Sequence, residues 1–205
     1  MKSLVQFFVE AGKIKRMRQR GLVFRRVKDP AVVASHCFRE TLMGWVLGKI
    51  REPKLNIEKI LKIAILHDLC AGYAGDITPY EPFLPKKGQP KKELFKKWPR
   101  YSKKEKEKFF REKHKREWAA VKNLTSLLPV DLRREMRDLW NEYEKGLSKE
   151  GRFIQQLDML ENLLQALEYW KEDKTFPIES WWHQMKELIH DPILLELLNE
   201  LDRKF

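Results

Sequence analysis

The 205-residue sequence predicts a single all-α domain, and three observations carry that expectation. Apolar residues recur at steps of three and four over most of the chain, which puts them on one face of successive helices. No segment alternates apolar and polar residues as a half-buried strand would. The 9 glycines and 10 prolines fall between the periodic runs, not at the short regular spacing of a sandwich or barrel. Hydrophobic residues, 42% of the chain, suffice for a core, while charged residues reach 35%. No stretch approaches the ~20 uncharged apolar residues that a bilayer helix requires, so a helical integral membrane protein is excluded.

The first periodic run covers 2–12. Its apolar stretch holds a Glu and is followed by basic residues, the reverse of the order in a secretory leader, so no leader is expected. The second run, 31–50, opens at Pro30 with Asp29 as its predicted cap. Asn56 caps the third, 57–70. Segment 72–100 is rich in proline and is the only long irregular stretch; such loops are functional or mobile in compact domains. Runs follow at 118–128, 131–145, 152–170 and 181–202. Pro129 and Asp131 separate the first two of these, and Gly146 and Ser148 the next two. Trp181 and Trp182 read as packing residues at the start of the last helix. The expected architecture over 1–205 is one helical bundle with a long basic loop-and-helix insertion.

Charge is concentrated in that insertion. The chain carries a formal +12, yet residues 86–116 hold 15 Lys/Arg against 4 Asp/Glu, which leaves +1 for everything else. A uniformly basic nucleic-acid-binding surface is therefore not encoded. A solvated helix with a basic loop is the expected reading, even with Phe95, Trp98 and Tyr101 interleaved, and His114 is expected to be exposed within it. Placed just after the segment GDITP, the insertion is positioned to steer anionic ligands. The two cysteines, Cys37 and Cys70, read as buried free thiols in a reduced, cytoplasmic compartment. His183 and His190 read as surface or core histidines.

Chemistry is suggested by polar ligand types embedded in apolar helices. Ile60, Ala64, His67 and Asp68 share one face of the third helix. An adjacent His–Asp there is costly unless satisfied, and a backbone-bonded His with a capping Asp would satisfy it without function. His36 lies on the stripe of Val32, Val33 and Met43. Asp158 lies between Leu157 and Met159 in an otherwise apolar run. Two imidazoles and two carboxylates converging from three helices would form a mixed N/O site for a divalent transition metal, with positions open to water and a phosphate oxygen.

In the order H…HD…D, carried by His36, His67–Asp68 and Asp158, the sequence resembles the HD-domain metal-dependent phosphohydrolases. The stretches HDLCAGYAGDITPY and QLDMLENLLQALEY, with LWNEYEKGLSKEGRFI before the second, resemble the branch of the 5′-deoxynucleotidases over about residues 12–170. The resemblance implies an HD-type helical domain and hydrolysis of (deoxy)ribonucleoside 5′-monophosphates by water activated at one divalent ion. Co²⁺ and Mn²⁺ stand foremost, with Mg²⁺, Zn²⁺, Ni²⁺ and Fe²⁺ as further choices. It implies His36, His67, Asp68 and Asp158 as metal ligands, Asp76 as a carboxylate that orients or deprotonates the attacking water, and a homodimer. Binding of nucleic acid or membrane is not expected.

Three positions depart from the pattern that the resemblance implies. Ala71 stands where the HDxxE pattern has its Glu, one helical turn from His67. Leu22 stands where relatives carry a Trp at the sugar, with Arg18, Arg20 and Arg25 nearby as phosphate-binding choices. Ser35 replaces the Glu before the first His. The alternative reading is therefore a metal- and nucleotide-binding scaffold whose turnover is weakened by the missing carboxylate at 71. A nucleic-acid-associated protein with a purely structural His–Asp pair is the third.

Overall fold

The computed structural model describes residues 1–88 and 90–205. In chain order its helices are α1 (Lys2–Ala11), α2 (Arg20–Phe24), α3 (Val33–Ile50), α4 (Ile57–Leu66), α5 (Ala71–Ala74), α6 (Lys103–Thr125), α7 (Val130–Lys145), α8 (Lys149–Glu172), α9 (Glu179–Leu188) and α10 (Pro192–Lys204). Short 3₁₀ turns lie at Gly12–Lys15, Glu81–Phe83 and Lys92–Lys96. Among the described residues the sole β feature is an isolated bridge between Arg18 and Val32. The all-α class follows from the periodicity as expected.

Helix α8 is the axis of the fold. Phe153, Ile154, Leu157, Leu160, Leu163, Ala166 and Leu167 are all 0–1% exposed, and α3, α4, α7, α9 and α10 surround them. A helix apolar on so many sides must be buried, and its polar groups must then find partners inside the protein. Glu150 accepts the backbone N–H of Asn56 at 2.9 Å. Gln156 Oε1 accepts the N–H groups of both His190 and Asp191, at 2.8 and 2.9 Å, and so fixes where α10 begins. Each buried polar residue on α8 therefore fastens a neighbouring element.

Helices α3 and α4 pack side by side at unusually small separation. A Cβ at Gly44 would stand 2.9 Å from Ile60 Cγ2, and one at Gly48 2.9 Å from Ile60 Cδ1. This approach brings together the two helices that carry His36 and His67. Asn56 caps α4, its side chain accepting the Lys59 N–H at 3.1 Å. Gly146, with φ of 58°, ends α7 in the left-handed conformation that glycine tolerates. Ser148 Oγ then caps α8 by accepting the Gly151 N–H at 3.0 Å. The separators between α7 and α8 act as the sequence predicts.

Four boundaries differ from the periodicity, each for a local reason. Helix α3 starts at Val33 rather than 31, and Asp29 does not cap it. Residues 31–33 instead pair with 17–19, through Gln19 N–H to the Ala31 carbonyl and Val33 N–H to the Met17 carbonyl, both at 2.8 Å. The run 57–70 breaks after Leu66. The His67 carbonyl accepts the Trp140 indole N–H at 3.2 Å, and the Ala71 N–H turns to the Asp68 carbonyl at 3.0 Å. Helix α6 begins 15 residues before the apolar run at 118, because a Ser102–Glu105 capping box nucleates it within the charged stretch. The run 181–202 divides at Asp191–Pro192, where proline takes the first position of α10. Helix α2 was not expected from periodicity; its five residues are too few to show it.

The α7–α8 turn offers a stability test. A Cβ at Gly151 would lie 2.5 Å from the Glu142 carbonyl oxygen, a backbone atom that cannot swing away. Gly151→Ala should cost about 2 kcal/mol in urea denaturation. Removing the α4 cap with Asn56→Ala should cost about 1 kcal/mol. A Gly151→Ala variant as stable as the parent would contradict this packing.

Candidate metal centre and active-site cleft

The structure brings His36, His67, Asp68 and Asp158 to the floor of one cleft. His36 comes from the first turns of α3, His67 and Asp68 from the turn after α4, and Asp158 from the middle of α8. His36 Nε2 lies 3.1 Å from Asp158 Oδ1 and 4.0 Å from Asp68 Oδ2, and His67 Nε2 lies 3.6 Å from Asp68 Oδ2. Ligands held about 2.1 Å from a common ion stand about 3 Å apart. The separations recorded here, 3.1 to 4.0 Å, lie at and somewhat beyond that spacing.

Both imidazoles are oriented from behind. His36 Nδ1 is hydrogen-bonded to the buried Glu161 carboxylate, which also accepts Arg39 Nε–H at 2.8 Å. His67 Nδ1 bonds the Ala64 carbonyl at 2.9 Å, one turn back on α4. Each ring therefore turns Nε2 into the cluster, an orientation typical of metal-ligating histidines. Asp158 is held as firmly: Oδ2 accepts Tyr143 O–H and Oδ1 accepts Asn162 Nδ2–H, each at 2.9 Å.

A further carboxylate, missed in the sequence, completes the floor. Glu40 is 0% exposed, and its Oε2 lies 3.3 Å from His67 Nε2 and 3.7 Å from His36 Nε2. Neither of its oxygens has a hydrogen-bond partner among the described residues, and neither does His67 Nε2. The spacing His36-x-x-x-Glu40 carries the signal, since residues four apart share a helix face. Glu161 gave a similar signal, one turn after Asp158 on an apolar helix.

Electrostatics describe a site rich in negative charge. Burial opposes a charged Asp158, yet the hydrogen bond and charge of His36 overcome it and hold the carboxyl down at about 2. Burial likewise opposes protonation of His36, but its bonds to Asp158 and Glu161 raise its pKa well above the ordinary value. A divalent ion binding there would take the place of that proton. Burial pushes Glu40 well above the usual carboxylate range. Asp76 is raised to about 6, first by burial and then by the charge of Asp68. Its Oδ2 accepts the Arg20 backbone N–H at 2.6 Å, which ties the segment after α5 to the start of α2. Gly75, at φ of 83°, turns the chain into that position.

The cleft walls come from distant parts of the chain. Trp98, Trp140, Trp181 and Tyr80 supply aromatic surface, and Gln19 and Asn162 supply hydrogen-bonding groups. Ala71 lines the cleft beside Lys113, Glu117 and Glu144. Lys113 pairs with Glu117 at 2.7 Å; burial raises the Glu117 carboxyl to about 7 against the opposing effect of Lys113. His114 is half-buried rather than exposed, tilted against Trp140 and 3.4 Å from Glu144, because α6 packs on α7 along this side. Cys37 and Cys70 are buried and free.

The three arginines fall in different places. Arg18 is exposed at the bridge with Val32, and the Arg20 side chain pairs with Glu81 at 3.0 Å. Neither is among the described residues lining the cleft, whereas Leu22 and Arg25 are. Arg25 is only 4% exposed. It donates to Ser180 Oγ at 3.1 Å and lies over the rings of Trp181 and Phe95, at 3.8 and 4.6 Å. Burial lowers its pKa to about 10, so it stays a cation. Ser35 Oγ turns back to the Val32 carbonyl and leaves the site.

Comparison with known proteins defines the class. The family model "HD domain" matches residues 11–196, and the chain belongs to that family. Among curated proteins it is 33% identical to the 5′-deoxynucleotidase HDDC2 of Homo sapiens, over 98% of this chain and 85% of that one. It is 30% identical to the 5′-deoxynucleotidase HDDC2 of Dictyostelium discoideum, over the full length of both. Among solved structures, a conserved hypothetical protein from Pyrococcus furiosus shares the fold with a TM-score of 0.71 at 24% identity, covering 97% of this chain and 99% of that one.

The Glu161–His36 contact supplies a test. Glu161→Ala should weaken Mn²⁺ binding by about 10- to 100-fold in calorimetric titration, because His36 loses the partner that aims its Nε2. An unchanged dissociation constant would show that the ring is oriented without it.

Proposed function

We propose that the protein is a metal-dependent phosphohydrolase that releases phosphate from (deoxy)ribonucleoside 5′-monophosphates. The observation that carries this reading is the pair of buried imidazoles whose Nε2 atoms stand beside Asp158 and Asp68, on the floor of an aromatic-walled cleft. Membership of the HD domain family and similarity to curated 5′-deoxynucleotidases support the substrate class. His36, His67, Asp68 and Asp158 would hold the ion. When bound, a divalent ion supplies Lewis acidity toward a phosphoryl oxygen and makes water more acidic.

The chain's own residues supply the remainder. Asp76, with its raised pKa, accepts the proton of the attacking water when ionised. Lys113 and Arg25 offset phosphoryl charge. Trp98 provides a face for the nucleoside, and Leu22 stands where the family resemblance implies the sugar. Co²⁺ and Mn²⁺, the ions that the family resemblance implies, are the first choices, with Mg²⁺, Zn²⁺, Ni²⁺ and Fe²⁺ as competitors; the mixed N/O donor set suits a divalent transition metal. The two buried free thiols fit a cytoplasmic setting, and among the described residues no helix is long and apolar enough to cross a membrane.

The reaction is tested by phosphate release from a panel of deoxy- and ribonucleoside 5′-monophosphates after metal stripping and add-back. Release should require the added ion and fall at least about 100-fold in Asp68→Ala. The rate should rise with pH along an acidic limb at or below 6, since Asp76 acts only when deprotonated and a nearby cation draws its pKa down. Asp76→Asn should abolish the limb. Release that ignores metal would sink the proposal. Ala71 in the cleft favours a second reading, a scaffold that binds metal and nucleotide but turns over slowly. A gain of about tenfold or more in Ala71→Glu, at unchanged metal affinity, would establish that reading.

A homodimer completes the proposal. On α3, the helix that carries His36, Phe38 and Trp45 are 71% and 52% exposed, and Leu42, Val46 and Ile50 extend the same stripe. Steps of four, three, one and four make this one continuous apolar face, and a second copy of the chain is the partner we assign to it. Trp45→Glu should shift sedimentation from dimer to monomer. A wild-type chain that sediments as a monomer at micromolar concentration would refute the assignment.

A further inference from the structure

Glu40 lies four residues after His36 on α3, on the same helical face, and is fully buried. A buried carboxylate without donors is expensive and is rarely left so in a folded protein. Neither Glu40 oxygen has a hydrogen-bond partner among the described residues, nor does the nearest basic atom, His67 Nε2 at 3.3 Å. The other imidazole does not supply one: His36 Nε2 stands 3.7 Å away and closer, at 3.1 Å, to Asp158. Arg39 is engaged by Glu161 and Glu168. One cation placed among His36, His67 and Glu40 would satisfy Glu40 and His67 Nε2 together, and these three donor atoms lie within 4.8 Å of one another.

We infer that Glu40 is a third carboxylate ligand, beside Asp68 and Asp158, of the divalent ion held by His36 and His67. The inference rests on the reading of this site as a metal centre. Glu40 occupies the interior side of the cluster, while Asp68, with its side chain 38% exposed, faces the cleft. Two nitrogens and three carboxylates form a harder donor set than two and two. That composition favours oxygen-preferring ions such as Mn²⁺ over softer ones. It would also leave fewer coordination positions for water and phosphate.

Crystals of the wild-type full chain soaked in Mn²⁺ decide the point by anomalous scattering. A Glu40 oxygen about 2.1 Å from the ion is expected. An ion bound by His36, His67, Asp68 and Asp158 with Glu40 more than about 3 Å away would overturn the inference and leave the phosphohydrolase reading intact. An ion found elsewhere, together with metal-independent phosphate release, would overturn both. In solution, Glu40→Gln should weaken Mn²⁺ binding by more than about tenfold and change the visible absorption of bound Co²⁺, while the metal-free variant melts no lower than wild type. Equal Mn²⁺ affinity with an unchanged Co²⁺ spectrum would also overturn it.

Discussion

A polar group carried into the core has to find its partners inside the protein, and that constraint on α8 organises the molecule. Its apolar residues make the core. Its buried polar residues have to be met by neighbours, so each becomes a point of attachment. Glu150 anchors the loop before α4, Gln156 sets the start of α10, and Glu161 holds both His36 and Arg39 on α3. Asp158, on the same helix, is satisfied by Tyr143 from α7 and Asn162 from α8 itself. The demand for satisfied buried polarity thus builds the back wall of the proposed metal centre.

The same reasoning explains why the site sits where it does. The close contact of α3 with α4, made possible by Gly44 and Gly48 against Ile60, brings His36 and His67 to ring centroids 5.6 Å apart. Trp140 captures the His67 carbonyl where α4 ends, and Asp68 follows in the turn that lines the cleft. Packing and helix termination act together here.

The basic insertion has two characters. Toward solvent it is a charged helix opened by a capping box. Toward α7 it contributes Lys113 and Glu117 to the cleft and His114 to the Trp140 stack. Its loop, ahead of α6, adds Trp98 and the Lys97 carbonyl, which accepts the Tyr80 hydroxyl at 3.1 Å. A segment that reads as a solvated charge run is in part the wall of the cleft.

Periodicity at three and four residues was enough to determine the all-α class, and Gly146, Ser148 and Asn56 marked real boundaries because capping is local chemistry. The four ligand-type residues His36, His67, Asp68 and Asp158 were legible because a polar group on an apolar helix face must be satisfied by something. What the sequence could not decide was relative placement. Glu40 could be an ordinary surface carboxylate until α4 closes over it and brings His67 within 3.3 Å. Arg18, Arg20 and Arg25 are equivalent on paper, and tertiary structure separates them: one exposed, one paired with Glu81, one enclosed by aromatic rings in the cleft wall. Local conformational preference acts through neighbours along the chain, whereas desolvation and Coulomb energy act through neighbours in space, and the fold alone sets those.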